Sequence, residues 1–229
     1  MNIIKVKDYN ELSKLASEMI IKQVNEKSNS VLGLATGNTP VGVYNELIKA
    51  YQLKKVSFKD VRTFNLDEYI NVSNKQSYHT FMYSVLFSQI DIDIFKTNFP
   101  NEQKLDSYEE LIDNLGIDLQ ILGIGVNGHI GFNEPNTKFD TTTHVVELSE
   151  TTRNSNKIFF DDISEVPTHA VTMGLASIMK AKKILLLING KSKKDIFKKL
   201  KNTEVTEEIP ASILLNHDDV TVIVTNDAI

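Results

Sequence analysis

The stretch LQILGIGVNGHIGFNEP, residues 119–135, joins an apolar run to a loop rich in glycine. The run is apolar at nearly every position from residue 119 to 125, which is typical of a strand buried on both faces of a sheet. The loop carries His129 and Glu134, and four of the chain's ten glycines lie between residues 123 and 131. Glycine lets a backbone turn sharply and approach a ligand closely. The stretch therefore predicts a buried strand that ends in a functional loop.

The chain repeats this apolar pattern in five more segments, which are separated by segments of helical length. The further predicted strands cover residues 30–36, 58–66, 169–174, 183–190 and 220–225. Helices are expected after Asp8 and after Thr39, and over residues 77–87, 107–115 and 191–200. Strands that alternate with helices imply parallel crossovers. We therefore expect an α/β fold in which helices sandwich a doubly wound, mostly parallel, Rossmann-like sheet.

Length and composition restrict the class of protein. A chain of 229 residues can fold around one sheet, so we expect a single domain over residues 1–229. The net charge of -5 is spread among mixed acidic and basic residues, which argues against a nucleic-acid partner. The absence of cysteine excludes disulfides and thiolate chemistry, and the longest aliphatic run is far shorter than the roughly 20 residues that span a membrane. We expect a cytoplasmic protein with no membrane partner.

Ligands of an open parallel sheet bind beyond the carboxyl ends of its strands, and two loops at such positions suit an anion. In LATGNTPVGVY, residues 34–44, Thr39 is the expected N-cap and Pro40 the first residue of a helix. The positive end of that helix would favour an anion, although a well-capped turn without a ligand is an equal alternative. In NGKSKKD, residues 189–195, Lys193 could reach a phosphate, or could be an exposed lysine at a helix start.

Two other loops carry acid–base groups. In TFNLDEY, residues 63–69, Asp67 and Glu68 point in different directions, so one could face a cleft while the other serves the scaffold. In the opening stretch, the glycines could bring His129 and Glu134 into one pocket. The glycine spacing does not match a dinucleotide fingerprint, because a histidine follows it and no acidic residue stands at the later strand end. His129 and Glu134 are therefore candidates for proton transfer.

Five motifs in this order resemble the glucosamine-6-phosphate deaminase family over about residues 32–224. They are GLATGNTPVGVY, TFNLDEY, DLQILGIGVNGHIGFNEP, VTMGLASIMKAKKILLLINGKSK and IPASIL. The resemblance implies conversion of glucosamine 6-phosphate and water into fructose 6-phosphate and ammonium. It also implies a small amino sugar phosphate as the partner, with no cofactor and no catalytic metal.

The family's site residues match positions of this sequence. Asp67 matches the base that takes the C2 proton and returns it at C1, and His129 matches the group that opens the sugar ring by moving a proton between O5 and O1. Asn127 and Glu134 match the positions that orient this histidine. The phosphate site of the family matches Gly37, Asn38, Thr39 and Lys193.

Three positions depart from the family's pattern. Asn127 stands where many relatives have an aspartate, and Asn136 stands where a glycine is common. Ile158 occupies the place of an arginine that is usual in the family's phosphate site. Either Lys157 or Arg153 would then compensate, or the substrate differs.

Other functions remain open at this point. A galactosamine-6-phosphate deaminase/isomerase, which gives tagatose 6-phosphate, is favoured somewhat by the altered segment around Ile158. A 6-phosphogluconolactonase shares the fold but has a different loop after the histidine. A non-catalytic sugar-phosphate sensor would carry an N-terminal helix-turn-helix and eroded catalytic residues.

Expectations about assembly and motion follow from the resemblance. The chain ends at Ile229, without the C-terminal extension that helps to form the allosteric site of hexameric relatives. We therefore expect a non-allosteric protein that is monomeric or a weak homo-oligomer. Residues 73–87 could form a mobile lid or a plain amphipathic helix.

Overall fold

The computed structural model describes residues 1–157, 160 and 162–229. Within these residues the chain forms ten strands: β1 (Asn2–Val6), β2 (Val31–Leu34), β3 (Arg62–Asn65), β4 (Asp67–Tyr69), β5 (Thr97–Asn98), β6 (Leu119–Gly123), β7 (His144–Glu147), β8 (His169–Thr172), β9 (Ile184–Ile188) and β10 (Val220–Thr225). The same residues form seven α-helices: α1 (Tyr9–Glu26), α2 (Asn38–Gln52), α3 (Tyr78–Val85), α4 (Leu105–Leu115), α5 (Glu150–Asn156), α6 (Leu175–Met179) and α7 (Lys194–Asn202).

Seven of these strands build a parallel sheet in the order β1-β10-β9-β6-β2-β3-β5. A large apolar cluster covers each face of this sheet. Successive side chains of β9 alternate between the two clusters, with Leu186 in one and Leu187 in the other. A strand packed on both faces needs apolar residues at every position, which explains the continuous run ILLLI. The predicted α/β class with a mostly parallel sheet is confirmed.

The strand order changes direction between β2 and β6, because the strands of this sheet that follow β2 and β6 in the chain are added on opposite sides of this pair. Strands β3 and β5 lie on one side of β2, whereas β6, β9 and β10 lie on the other. The loops that follow β2 and β6 therefore leave the sheet in opposite directions. Such a reversal opens a crevice at the carboxyl edge of the sheet, which is where ligands of this architecture bind.

A second sheet corrects two expectations. The predicted strand at residues 169–174 contains β8, which pairs antiparallel with β4 and β7 instead of joining the parallel sheet. The segment around Asp67, expected as a loop, is β4. Apolar periodicity indicates that a strand is buried but not which strand it pairs with. Here the second sheet packs on its own apolar cluster, which includes Tyr69, Phe132 and Phe160.

Of the two helix starts predicted from capping residues, one is confirmed and the other is wrong. Asp8 caps α1 as predicted, because its side chain accepts a hydrogen bond from the Glu11 N–H at 3.0 Å. The predicted start of α2 is wrong by two residues: Gly37 is the N-cap, and Thr39 and Pro40 are the second and third helical residues. Gly37 has a φ of 93°, which glycine adopts without a steric penalty. The turn therefore depends on glycine at the position just before the helix.

Candidate active site

A cavity of about 530 Å³ opens at the carboxyl ends of β2 and β6. Its wall includes seven of the eight candidate site residues: Gly37, Asn38, Thr39, Asp67, Asn127, His129 and Lys193. Glu134, the eighth, contacts Asn127 and His129 from behind the wall. The structure thus brings together residues from four segments that are far apart in the sequence.

The first turn of α2 forms the part of the wall that favours an anion. Among the described residues, no side chain caps the N-terminus of this 15-residue helix. Tyr9 fixes the turn from the other side, because its hydroxyl donates to the Asn38 carbonyl oxygen at 2.8 Å and accepts from the Gly42 N–H at 2.8 Å. The uncapped N–H groups and the positive helix end are suited to an anionic ligand group.

Asp67 provides a base whose proton affinity is set by burial. Asp67 lies in β4, is 6% exposed and borders the cavity. Burial, reinforced by the charge of Glu68, raises the pKa of the Asp67 carboxyl group from 3.8 to about 7, although a hydrogen bond from the Thr36 hydroxyl at 3.4 Å opposes the rise. A carboxylate with a pKa near neutrality is substantially ionised at physiological pH and is more basic than an ordinary aspartate. Both properties suit a base that takes a proton from carbon.

Glu68 has a structural role that differs from that of Asp67. Its carboxylate accepts hydrogen bonds from the backbone N–H groups of Tyr69 at 2.9 Å, Tyr78 at 2.8 Å and His79 at 2.8 Å. The last two belong to the first turn of α3, where an acidic side chain satisfies free N–H groups and the helix dipole. The prediction that one carboxylate faces the cleft while its neighbour serves the scaffold is confirmed.

His129 is held by a chain of side-chain hydrogen bonds. Its Nδ1 atom lies 2.7 Å from the Asn127 Oδ1 atom, and the Asn127 amide nitrogen donates to Glu134 Oε2 at 2.7 Å. The imidazole lies farther from the carboxylate itself, with 3.7 Å between Nδ1 and Glu134 Oε2. Asn127 therefore stands between the histidine and the glutamate.

This arrangement assigns one tautomer to His129. Because a carboxylate oxygen only accepts, the Asn127 amide turns its NH₂ group to Glu134 and its oxygen to the imidazole. The His129 backbone N–H also donates to that oxygen at 3.3 Å. Nδ1 then carries the proton, and Nε2 keeps a free lone pair.

The charge state of His129 depends on its surroundings. Burial lowers its pKa from 6.5, the charge of Glu134 opposes this, and the positive charge of Lys193 adds to the lowering. The imidazole is therefore neutral near pH 7 and able to accept a proton.

Two glycines make room for these side chains. A Cβ atom at Gly125 would overlap the His129 ring, so glycine is needed for the imidazole to lie against this part of the backbone. At Gly131 the φ angle is 58°, and a Cβ atom would lie 2.8 Å from the Thr172 hydroxyl oxygen. Close packing at the site thus explains two of the four glycines around His129.

Two lysines line the described part of the wall. Lys193 lies in the turn after β9, and burial lowers the pKa of its ammonium group. Within the described residues it forms no ion pair, so a partly desolvated cation faces the cavity without a protein anion. Lys75 lies on the 3-10 turn before α3. Lys75 belongs to none of the motifs in the sequence, so its place in the wall could not be predicted.

The side chains expected to replace the usual arginine are placed elsewhere. The Arg153 guanidinium donates through Nη2 to the carbonyl oxygens of Ile163 at 3.2 Å and Val166 at 3.1 Å, so it serves the fold. Neither Arg153 nor the exposed Lys157 belongs to the cavity wall as far as the described residues define it. Ile158 lies outside the described residues.

Asn136, the third departure, has a conformational explanation. Its φ angle is 73°, a left-handed conformation in which glycine is favoured and asparagine is tolerated better than most residues. Its backbone N–H donates to the Glu207 carbonyl oxygen at 2.7 Å. The turn after Glu134 is therefore kept without the glycine.

The cavity at the edge of the parallel sheet combines a buried carboxylate, a neutral histidine and a positively charged region that can bind an anion. These features are typical of an α/β protein that transfers protons on a small anionic ligand. The chain belongs to the family described as glucosamine-6-phosphate isomerases/6-phosphogluconolactonase, whose model matches residues 7–223. The resemblance identified from the five motifs is confirmed.

Similar proteins cover the chain from end to end. A glucosamine-6-phosphate deaminase of Clostridium novyi is 54% identical over 100% of this chain and 98% of its own length. One of Lysinibacillus sphaericus is 51% identical over 97% of this chain and 98% of its own length. A solved structure of a monomeric glucosamine-6-phosphate deaminase is 44% identical, covers 100% of this chain and 98% of its own, and superposes with a TM-score of 0.97.

Proposed function

We propose that this protein is a glucosamine-6-phosphate deaminase, which converts glucosamine 6-phosphate and water into fructose 6-phosphate and ammonium. Full-length relatives that bear this name and are about half identical support the proposal. The observation that carries it is the convergence of Asp67 and His129 on one cavity that also holds the α2 start and Lys193. A base, a proton carrier and an anion site are the parts that this reaction requires.

The phosphate anchors the substrate in this proposal. The uncapped first turn of α2, with Gly37, Asn38 and Thr39, and the ammonium group of Lys193 receive its negative charge. Binding energy from this remote group holds the reacting carbons in register with the acid–base groups. The phosphate itself undergoes no chemistry.

The first chemical step opens the sugar ring. Neutral His129 accepts the O1 proton at Nε2 and delivers it to O5, so that the C1–O5 bond breaks and an aldehyde forms. The Nδ1 proton stays hydrogen-bonded to Asn127, which keeps Nε2 as the working atom. Glu134 fixes Asn127 and favours the transient imidazolium.

The second step moves the proton that defines the isomerisation. Asp67 takes the C2 proton while the substrate's C2 ammonium group gives a proton to O1, which leaves an enol at C1 and an amine at C2, and Asp67 then returns its proton to C1. The resulting iminium at C2 is attacked by water, and ammonium leaves to give the ketose. The raised pKa of Asp67 suits both halves of this step, because the same group must accept and then donate.

Lys193→Met is expected to raise KM for glucosamine 6-phosphate by roughly 10- to 150-fold, the equivalent of losing a hydrogen bond to a charged group. The effect on kcat is smaller, because Lys193 is assigned to the phosphate. Steady-state ammonium release checks this. Lys194→Met, which changes an exposed neighbour, should leave KM unchanged. An equal rise in KM for both variants would contradict the assignment.

The sugar specificity is tested by measuring ammonium release from glucosamine 6-phosphate and galactosamine 6-phosphate. We expect a clear preference for the glucosamine substrate, because the similar proteins carry this name and the galactosamine alternative has no comparable support. A strong preference for the galacto epimer would overturn the choice of substrate. Release from neither would overturn the proposed activity and favour a sensor.

The lactonase alternative receives support for the fold alone. A 6-phosphogluconolactonase from Thermotoga maritima superposes with a TM-score of 0.74 at 23% identity, which shows a shared architecture. The loop after His129 continues with Gly131, Phe132, Asn133 and Glu134, as the deaminase motif requires.

Assembly and location complete the proposal. We infer a monomer of one domain, supported by the similar solved structure that is described as monomeric. Within the described residues no helix is long and apolar enough to cross a membrane. A cytoplasmic location and a lid motion of the segment that contains α3 stay predictions.

A further inference from the structure

The carboxylate of Glu134 has a second hydrogen-bond partner that the sequence motifs do not contain. Its Oε2 atom accepts from Asn127, while its Oε1 atom accepts from the hydroxyl of Thr152 at 2.5 Å. Thr152 lies in the first turn of α5 and is 8% exposed. Each oxygen of Glu134 thus has its own donor, from two different elements of the fold.

The direction of the Thr152 hydrogen bond is fixed from both sides. The Thr152 hydroxyl must donate to Glu134, because a carboxylate oxygen only accepts. The same hydroxyl accepts from the Ser149 hydroxyl at 3.0 Å. Ser149 is the N-cap of α5 and accepts in turn from the Thr152 N–H at 3.2 Å. The cap of α5 therefore orients the hydroxyl group with which Thr152 donates its hydrogen bond to Glu134.

We propose that Thr152 is a positioning residue that selects the tautomer of His129, acting through Glu134 and Asn127. With Oε1 held by Thr152, the carboxylate plane is fixed and Oε2 can accept the Asn127 amide group. That amide then presents its oxygen to Nδ1 of His129. The order of donors and acceptors propagates without a break from the α5 cap to the imidazole.

The proposal accounts for two features of the site. Asn127 can present either its oxygen or its NH₂ group to the histidine, and the His129 backbone N–H favours the oxygen only through a long hydrogen bond of 3.3 Å, so Glu134 at 2.7 Å supplies the stronger constraint. Glu134 supplies it only while its own rotation is restricted. Loss of the Thr152 hydroxyl leaves Oε1 without that donor, and both the carboxylate and the amide can then turn.

Thr152→Val removes the hydroxyl and keeps the side-chain shape. It is expected to lower kcat by about 10- to 100-fold, the scale of a misplaced catalytic group, with KM within about threefold of the parent. Thr152→Ser should restore most of the loss. The activity readout rests on the proposed function. Thr152 also borders the cavity, and a rise in KM without a loss of kcat would mean that it contacts substrate instead.

The matched control is Thr137→Val. The Thr137 hydroxyl also bonds to Glu134, but to its backbone carbonyl oxygen at 2.7 Å, and the Thr137 N–H bonds to that oxygen at 3.0 Å as well. The turn therefore keeps one bond in the variant. We expect kcat within about twofold of the parent. An equal loss in both variants would overturn a specific role for Thr152.

The direct readout is the ¹⁵N spectrum of the imidazoles at about pH 8, where an ordinary histidine is neutral. His129→Gln identifies the signals of His129. The parent should show Nδ1 protonated and Nε2 free, and Thr152→Val should show a mixture with the other tautomer. An unchanged tautomer would overturn the proposal, and this result does not depend on which substrate the enzyme accepts. If the valine variant does not fold, Thr152→Ala gives the same test.

Discussion

Asp67→Asn is expected to lower kcat for ammonium release from glucosamine 6-phosphate by about 10²- to 10⁴-fold, the usual range for loss of a general base. Asparagine keeps the shape of aspartate but cannot take a proton from carbon. KM should change by less than about threefold, because Asp67 is assigned to the reaction and not to the phosphate. Steady-state kinetics at saturating substrate measure both values.

The control for this variant is Asp60→Asn, which neutralises an exposed carboxylate. We expect its kcat to equal that of the parent. A parent-like kcat in Asp67→Asn would mean that another group takes the C2 proton. A loss confined to KM would place Asp67 among the binding residues instead.

His129→Gln is expected to lower kcat by about 10²- to 10⁴-fold as well, because glutamine can hydrogen-bond but cannot exchange a proton near neutrality. The reason differs from that for Asp67: the ring stays closed, so little open-chain sugar reaches the base. His169→Gln changes an exposed histidine and serves as the control. Parent-like turnover by His129→Gln would remove the histidine from the mechanism.

The pH dependence of kcat/KM separates the two roles. Asp67 acts as a base only when ionised, so activity rises as the pH rises through about 7, its raised pKa. His129, whose pKa lies below the usual 6.5, must be neutral to accept a proton and limits activity only at lower pH. The rise near pH 7 should therefore persist in His129→Gln and disappear in Asp67→Asn.

The parallel sheet could be predicted because its strands have a simple physical cause. A strand such as β9 is packed on both faces and needs apolar residues at every position, so its sequence alone indicates its environment. The loops after such strands meet at one edge of the sheet. This is why the sequence alone predicts that Asp67, His129 and Lys193 are neighbours, as the cavity wall shows them to be.

The second sheet could not be predicted by the same argument. The segment HAVT of β8 is buried at three of its four positions, but its partners are β4 and β7, which pair through backbone groups that every residue carries. Pairing of this kind leaves little trace in composition. The predicted start of α2 was wrong for a local reason. Both threonine and glycine can precede a helix, and Gly37, not Thr39, is the cap.

The roles of Thr152 and Arg153 could not be predicted from the sequence. Thr152 has no signal of its own, since threonine near a helix start is ordinary, and only its distance from Glu134 gives it a role. Arg153 was a candidate for the phosphate because of its charge. In the structure the Arg153 guanidinium instead donates to the backbone carbonyl oxygens of Ile163 and Val166. The position of Arg153 in the sequence does not reveal these contacts.

The central claim is that one sugar phosphate contacts Asp67, His129 and the α2 start together. A crystal structure with the open-chain amino alditol 6-phosphate, which has no carbonyl group and cannot isomerise, tests it most directly. We predict C2 within about 3.5 Å of the Asp67 carboxylate, a hydroxyl of the ligand at Nε2 of His129, and the phosphate at the first turn of α2 with Lys193. A ligand that occupies the cavity with its phosphate elsewhere, or with C2 remote from Asp67, would contradict the account.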